Sequence, residues 1–320
     1  SIGRRHIDNF SKYCQNIDIV DVRADRIKEA NQKFYIRNSY KYFKTALENN
    51  NYDAVIITTP PNFHLPIAKM SVEKGCNILI EKPLGMNSKG WKRVADLCKS
   101  KKLINYVAYC HRHINYTQKV KKYIDKGFLG KILNANVRWG SYFPDWHPWE
   151  RYTDFYMAKK EQGGGALLDE SHGIDLIRYF FGEASEVFAM IDKISNLKIN
   201  TDDNAFLTLK MKNQMLVQLS FDLISRSTFC RIEMNGSKGS IIWDRVDHSL
   251  KYYSSKTKKW KKEKFTKKDF LDMYPNQAKH FVSCLRKKTK PAITIYDALK
   301  TQKIIDCSFL SNKKKKIIKL

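Results

Sequence analysis

The chain is predicted to join a doubly wound parallel α/β sheet in its first third to an α+β half with a mostly antiparallel sheet. Three observations carry this. Up to about residue 110, short apolar runs alternate with helical patterns. After about residue 115 long alternating strands replace them, and Gly236-Ser237-Lys238-Gly239 supplies a hairpin-type turn between two of these. The expected division is 1–114 and 115–320.

Residues 16–22 (NIDIVDV) alternate and are β-branched, which predicts a strand, and 26–34 follows as a charged helix. Residues 54–58 (AVIIT) form a continuous apolar run of the kind buried on both faces of a parallel sheet; Pro60-Pro61 and a helix over 65–74 come next. Residues 77–80 (NILI) repeat the pattern, with a helix over 88–99 and a strand over 104–109. Strand and helix at this spacing imply right-handed crossovers. Beyond, a helix over 116–126 precedes strands at 132–139, 186–194, 205–211, 214–221, 231–236 and 239–244. Helices at 276–287 and 295–310 close the chain before a lysine-rich tail.

Composition is that of a folded globular protein, 42% hydrophobic and 28% charged. The net charge of +27 would suit a nucleic-acid partner, but the lysines are scattered through every segment rather than gathered on a recognition element. A solvated surface is the expectation, with 256–268 and 313–316 the densest patches. Seven cysteines show no C-x-x-C pair and no zinc spacing, so neither disulfides nor a metal is expected. No apolar run approaches the roughly 18 residues that span a bilayer. A cytoplasmic protein with reduced thiols and no membrane or nucleic-acid partner follows from this reading.

The chain opens Ser1-Ile2-Gly3 and continues helix-like to Tyr13. In a G-x-G-x-x-G turn the last glycine permits close helix-to-strand packing, and the helix N-terminus faces a pyrophosphate. Gly3 fits that last position, with Ile2 beside it; the first strand and first two glycines would lie upstream, so the chain as given is expected to bind a dinucleotide poorly. Asp21, ending the next strand 18 residues after Gly3, is close to the separation of about 20 for the acid that binds ribose hydroxyls. Arg23 could instead meet a 2′-phosphate, which leaves NAD and NADP both open. Asp21 tilts the reading toward NAD.

Further along stand Thr59-Pro60-Pro61-Asn62-Phe63-His64, then Glu81-Lys82-Pro83, then Gly163-Gly164-Gly165 leading through Asp169 to His172 and Asp175. In order and spacing these resemble the Gfo/Idh/MocA oxidoreductases, relatives of glucose-fructose oxidoreductase and inositol 2-dehydrogenase. Residues 236–244 (GSKGSIIWD) and 274–281 (YPNQAKHF) extend the resemblance over the whole chain. It implies a Rossmann domain, an open-faced C-terminal sheet, bound NAD(H) or NADP(H), hydride transfer at a hydroxyl-bearing carbon of a sugar, cyclitol or sugar derivative, and dimers or tetramers formed through the sheets. It also implies that the peptide before Pro83 is often cis, that Thr59, Pro60, Asn62, His64 and Glu81 line the cofactor cleft, and that Arg112 meets the substrate.

Oxidising a secondary alcohol with a nicotinamide requires a base of suitable pKa for the hydroxyl proton, and histidine serves that range. His172 is the expected base. Asp169 and Asp175, each three residues from it, fall on neighbouring helical turns, and an aspartate beside the imidazole would fix its tautomer. Lys82 follows the NILI strand at the carboxyl edge, where ligands of parallel sheets bind; its ammonium can favour a developing alkoxide. Relatives commonly place the aspartate four residues before the histidine rather than three, and show Asn at Cys110 and an aromatic at His113. Residues 142–156 (YFPDWHPWERYTDFY) are dense in aromatics, so Trp146 and Tyr152 are candidates for holding a carbohydrate, in keeping with similar segments in relatives acting on surface-glycan sugars. His111, His113 and His147 are left undecided. The rival expectations are a dinucleotide-binding sensor or partner that no longer catalyses, and, more remotely, a basic nucleic-acid binder.

Overall fold

The structure is a computed structural model that describes residues 2–146 and 150–320. The first part carries α1 (Ile2–Phe10), β1 (Asp18–Val20), α2 (Ala24–Lys33), β2 (Asn38–Tyr40), α3 (Phe43–Asn49), β3 (Ala54–Ile57), α4 (His64–Glu73), β4 (Asn77–Ile80), α5 (Trp91–Ser100) and β5 (Asn105–Val107). Its strands are parallel and lie in two pieces, β1-β2 and β3-β4-β5. Helices on both faces leave Ile78, Leu79 and Ile80 wholly buried, which is why β4 reads as an unbroken apolar run.

The second part is one nine-stranded sheet. α6 (Asn115–Asp125), β6 (Ile132–Gly140), α7 (Ala166–Asp169), α8 (Ser171–Phe181), β7 (Ala184–Asp192), β8 (Asn204–Met211), β9 (Leu216–Asp222), β10 (Phe229–Gly236), β11 (Gly239–Asp244), β12 (Ser249–Ser254), β13 (Lys259–Lys264), α9 (Lys267–Leu271), α10 (Met273–Lys287), α11 (Ile295–Lys314) and β14 (Ile318–Lys319) follow in order. The strands are arranged 13-12-11-10-6-9-8-7-14, and every described pair is antiparallel except β6 with β9. One face is covered by α6, α7, α8 and α11; the other carries Phe188, Met190, Phe206 and Leu216 exposed.

Three features lie outside the sequence expectation. β2 and α3, built from polar 38–49, lack an apolar signature. The lysine-rich patch at 256–268 holds edge strand β13, whose sequence KWKKEK is exposed along nearly its whole length. Lysine on an edge strand discourages further pairing and erases the two-residue alternation that would reveal it. Finally, α10 and the start of α11 return to the first part: Ala278, Phe281, Val282, Ile293, Ile295 and Ala298 pack into its core with Leu79, Trp91 and Tyr106.

Helix α8 crosses the covered face so closely that a Cβ at Gly173 would lie 2.6 Å from the Phe221 ring and 3.3 Å from Val137. Alanine would gain roughly 1 kcal/mol of helix propensity. Overpacking against a fully buried aromatic costs about 1–3 kcal/mol. Gly173→Ala is therefore expected to lower stability on balance, read as a smaller urea midpoint at unchanged m-value.

Candidate active site

Two parallel-sheet termini and the α7–α8 corner converge. Lys82, one residue beyond the sequence Ile80-Glu81 at the end of β4, donates from Nζ to the Asp169 carbonyl at 2.7 Å and to Asp169 Oδ1 at 2.9 Å. The peptide from Lys82 to Pro83 is cis. Burial works against the Lys82 charge, but Asp169, Glu170 and Glu81 outweigh it and hold the ammonium protonated above the ordinary lysine value. Tyr156 donates its hydroxyl to the same Asp169 oxygen at 2.9 Å.

The three-residue spacing from Asp169 to His172 is accommodated by a break: α7 ends at Asp169 and α8 begins at Ser171. The corner is fixed upstream by Asp202, which accepts from the Leu167 amide at 2.9 Å and crowds Gly165, whose φ of +114 is open to glycine alone. The GGG segment is thus a seat for α7.

His172 is buried and its Nδ1 has no hydrogen-bond partner among the described residues. Its ring stacks on His111 at 3.9 Å with 14° between planes, and His111 stacks in turn on Trp139 at 5.2 Å. Burial, His111, Lys82 and Arg245 together push its pKa well below the ordinary histidine value, so the imidazole is neutral. Cys110, His111 and His172 bring ligand-type atoms within 4.8 Å of one another. A metal lies in the plane of each imidazole that binds it, and two near-parallel stacked rings do not share such a point; neighbouring Lys82 and Arg245 further disfavour a cation.

Several expected roles are corrected. Asp175 does not hold His172: both its oxygens face Arg112, at 2.6 and 2.8 Å, with Arg178 beside them. Arg112 also bonds Asp297 at 2.9 Å, so its guanidinium is consumed in a buried network and is not free for substrate. His64 has no nitrogen to offer a cofactor: Nε2 meets the Thr59 carbonyl at 2.8 Å and Nδ1 that of Pro83 at 3.0 Å. Glu81 reaches His6 on α1 at 2.6 Å and takes the Lys82 amide, which makes it a link between α1 and the lysine loop. Tyr152 receives the Lys198 amide, whereas the buried indole N–H of Trp146 has no partner among the described residues. His113 bonds Tyr106 at 2.6 Å and lies in the core; His147 is outside the described residues.

The remaining residues suit a dinucleotide. Ile2 and Gly3 open α1, so its first-turn amides are available to phosphate. Asp21 stands just past β1 and, among the described residues, accepts only the Arg23 amide. Arg23 is paired with Asp25 and Glu150, so it is not offered to a 2′-phosphate. Past the end of β3, Thr59 Oγ1 and Asn62 Oδ1 are buried without partners among the described residues, as expected of groups that complete their bonding on a ligand.

Comparison with known proteins decides the family. Residues 1–109 match the profile described as "Oxidoreductase family, NAD-binding Rossmann fold", and 117–242 match the Gfo/Idh/MocA C-terminal domain. The chain belongs to the Gfo/Idh/MocA family. Within this family it is 26% identical over 252 residues to levoglucosan dehydrogenase of Pseudarthrobacter phenanthrenivorans, covering 71% of this chain and 64% of that protein. It is 28% identical over 258 residues to myo-inositol 2-dehydrogenase of Thermotoga maritima, covering 77% and 73%. A levoglucosan dehydrogenase structure in complex with NADH superposes with a TM-score of 0.89 at 19% identity, over 100% of this chain and 96% of that one. The WlbA dehydrogenase from Bordetella pertussis in complex with NADH and UDP-GlcNAcA gives 0.85 at 20% identity, over 100% and 94%. The Rossmann domain and open-faced sheet implied by the motifs are thereby established, as is the NAD-binding character of the first domain.

Glu170, between Asp169 and Ser171, was not singled out by the motifs. It is buried, and burial followed by the Asp169 charge raises its carboxyl from 4.5 to about 8. A carboxyl raised in the fold favours the folded state when protonated, so this contribution is full below about pH 4.5 and is lost as pH rises toward 8. Glu170→Gln should match the wild type in urea denaturation at pH 4 and exceed it at pH 9. Asp175→Ala, by contrast, leaves Arg112 and Arg178 short of a counterion and should cost about 3–5 kcal/mol at neutral pH, read by thermal unfolding.

Proposed function

We propose that this protein is an NAD-dependent dehydrogenase that oxidises a hydroxyl-bearing carbon of a sugar, cyclitol or nucleotide sugar, with a role in surface-glycan metabolism. The observation that carries the proposal is the pairing of a protonated Lys82, held on Asp169, with a neutral His172 one corner away. The relatives named as levoglucosan and inositol dehydrogenases, and the NADH-bound neighbours, favour the same reading. When bound, the nicotinamide supplies a hydride acceptor.

The substrate C–H electron pair leaves as hydride, the O–H proton passes to the free nitrogen of His172, and the carbon–oxygen bond becomes a carbonyl. Lys82 donates to the substrate oxygen and stabilises the negative charge that develops there. Asp169 and Tyr156 keep the ammonium charged and aimed. Asp21 would hold the ribose hydroxyls; Ile2 and Gly3 the pyrophosphate; Thr59, Pro60 and Asn62 the nicotinamide half. Trp146 offers its N–H to the sugar. The exposed stripe of Phe188, Met190, Phe206 and Leu216, with Met190 and Phe206 directly opposed across β7 and β8, is the surface through which we expect the chain to form a homo-oligomer.

Lys82→Ala and His172→Ala should each lower kcat/KM for NAD+ reduction by about 10²–10⁴-fold while NADH still binds. Steady-state assays across a panel of polyols and sugars, with native mass spectrometry to read the nucleotide that copurifies, make the check. Bound cofactor with no reduction on any substrate would favour the non-catalytic partner instead.

A further inference from the structure

Strand β11 alternates Ile241 and Trp243 toward the covered face of the sheet, and Arg245, partly buried, follows just past its end. Its guanidinium lies 5.2 Å from the Trp139 ring centroid and 5.6 Å from that of Phe270, in the same cluster as the His111 and His172 stack. Both histidines feel its charge. Yet among the described residues no carboxylate lies within 4.0 Å of it, in a chain where the buried Arg112 holds two acidic partners and Arg178 three. A mostly buried guanidinium is expected to be paired. The acidic groups that influence it are the Cys230 thiol, which burial pushes up and keeps neutral, and then Glu170, which is not in contact and which favours its neutral form at pH 7.

We propose that Arg245 is the anion-binding residue of the substrate pocket, and that the substrate is a sugar acid whose carboxylate seats on this guanidinium. The reacting carbon in this account rests on the dehydrogenase reading above; the anion site does not. A carboxylate suits the geometry better than a phosphate. The guanidinium is a planar two-pronged donor set between two aromatic walls, and it carries one positive charge for a monoanion. Lys82 is held on Asp169 and, in the reaction proposed above, serves the reacting oxygen rather than the anion.

The test is titration calorimetry of the NADH-loaded protein with D-glucuronate and D-galacturonate against D-glucose and D-galactose, with glucose 1-phosphate and glucose 6-phosphate as a second anion. Wild type should bind at least one uronate about tenfold or more tightly than its parent hexose. Arg245→Gln should weaken that uronate by about 10- to 100-fold, the loss of a charge-assisted contact, and leave the hexose unchanged. Arg245→Lys should recover part of the loss. Equal binding of uronate and hexose, no binding of either uronate, or parallel weakening of both by Arg245→Gln with a lowered melting temperature would each overturn the proposal. Arg245-dependent binding of the phosphates alone would overturn the sugar acid. Arg245-dependent uronate binding without NAD+ reduction sinks the dehydrogenase reading and keeps the anion site; reduction by neutral sugars indifferent to Arg245 does the reverse.

Discussion

The buried pair of Lys82 and Asp169 joins residues 87 positions apart in the chain, one at the end of a parallel strand and the other at a helix corner on the antiparallel half. An isolated ammonium in such a place would shed its proton, and an isolated carboxylate would take one up. The ammonium keeps its charge because Asp169, with Glu170 and Glu81, is there, and Tyr156 adds a neutral donor to the shared Asp169 oxygen. The joint between the halves is therefore also the electrostatic centre of the site.

Much of this was legible because backbone requirements leave marks in residue choice. NILI is apolar on both faces because helices cover both, and the GGG segment marks a place where Asp202 allows no Cβ at Gly165. Lys82, Asp169 and His172 were found by motif, and the structure brings them together. The roles of Asp175 and Arg112 were misread because helical spacing shows which residues share a face and not which partner answers from a distant segment. Asp297, which completes that network, comes from the last helix, and nothing near Arg112 in sequence announces it. His111 was undecided for the same reason: its stacking partners Trp139 and His172 come from β6 and α8.

The two hydrophobic cores divide at the chemistry. One runs from Phe10 through Tyr109 and is completed by α10 and α11; the other begins at Cys110. The short segment 109–113 passes between them and delivers His111 to one side and His113 to the other. Arg112 then ties this crossing to α8 and α11. The ionic network is scaffold for the site rather than part of its reaction, and that division explains why a strongly charged group of residues can sit so close to a histidine left without a hydrogen bond.

His64 is wholly buried and kept neutral by that burial, and its two nitrogens face the carbonyls of Thr59 in one loop and Pro83 in another, one of which takes its single N–H. Mechanically it is a rivet. The loop that carries Thr59 and Asn62 cannot swing open without drawing on the loop that carries Lys82. One buried ring thus sets the spacing between the wall that carries Thr59 and Asn62 and the wall that carries Lys82.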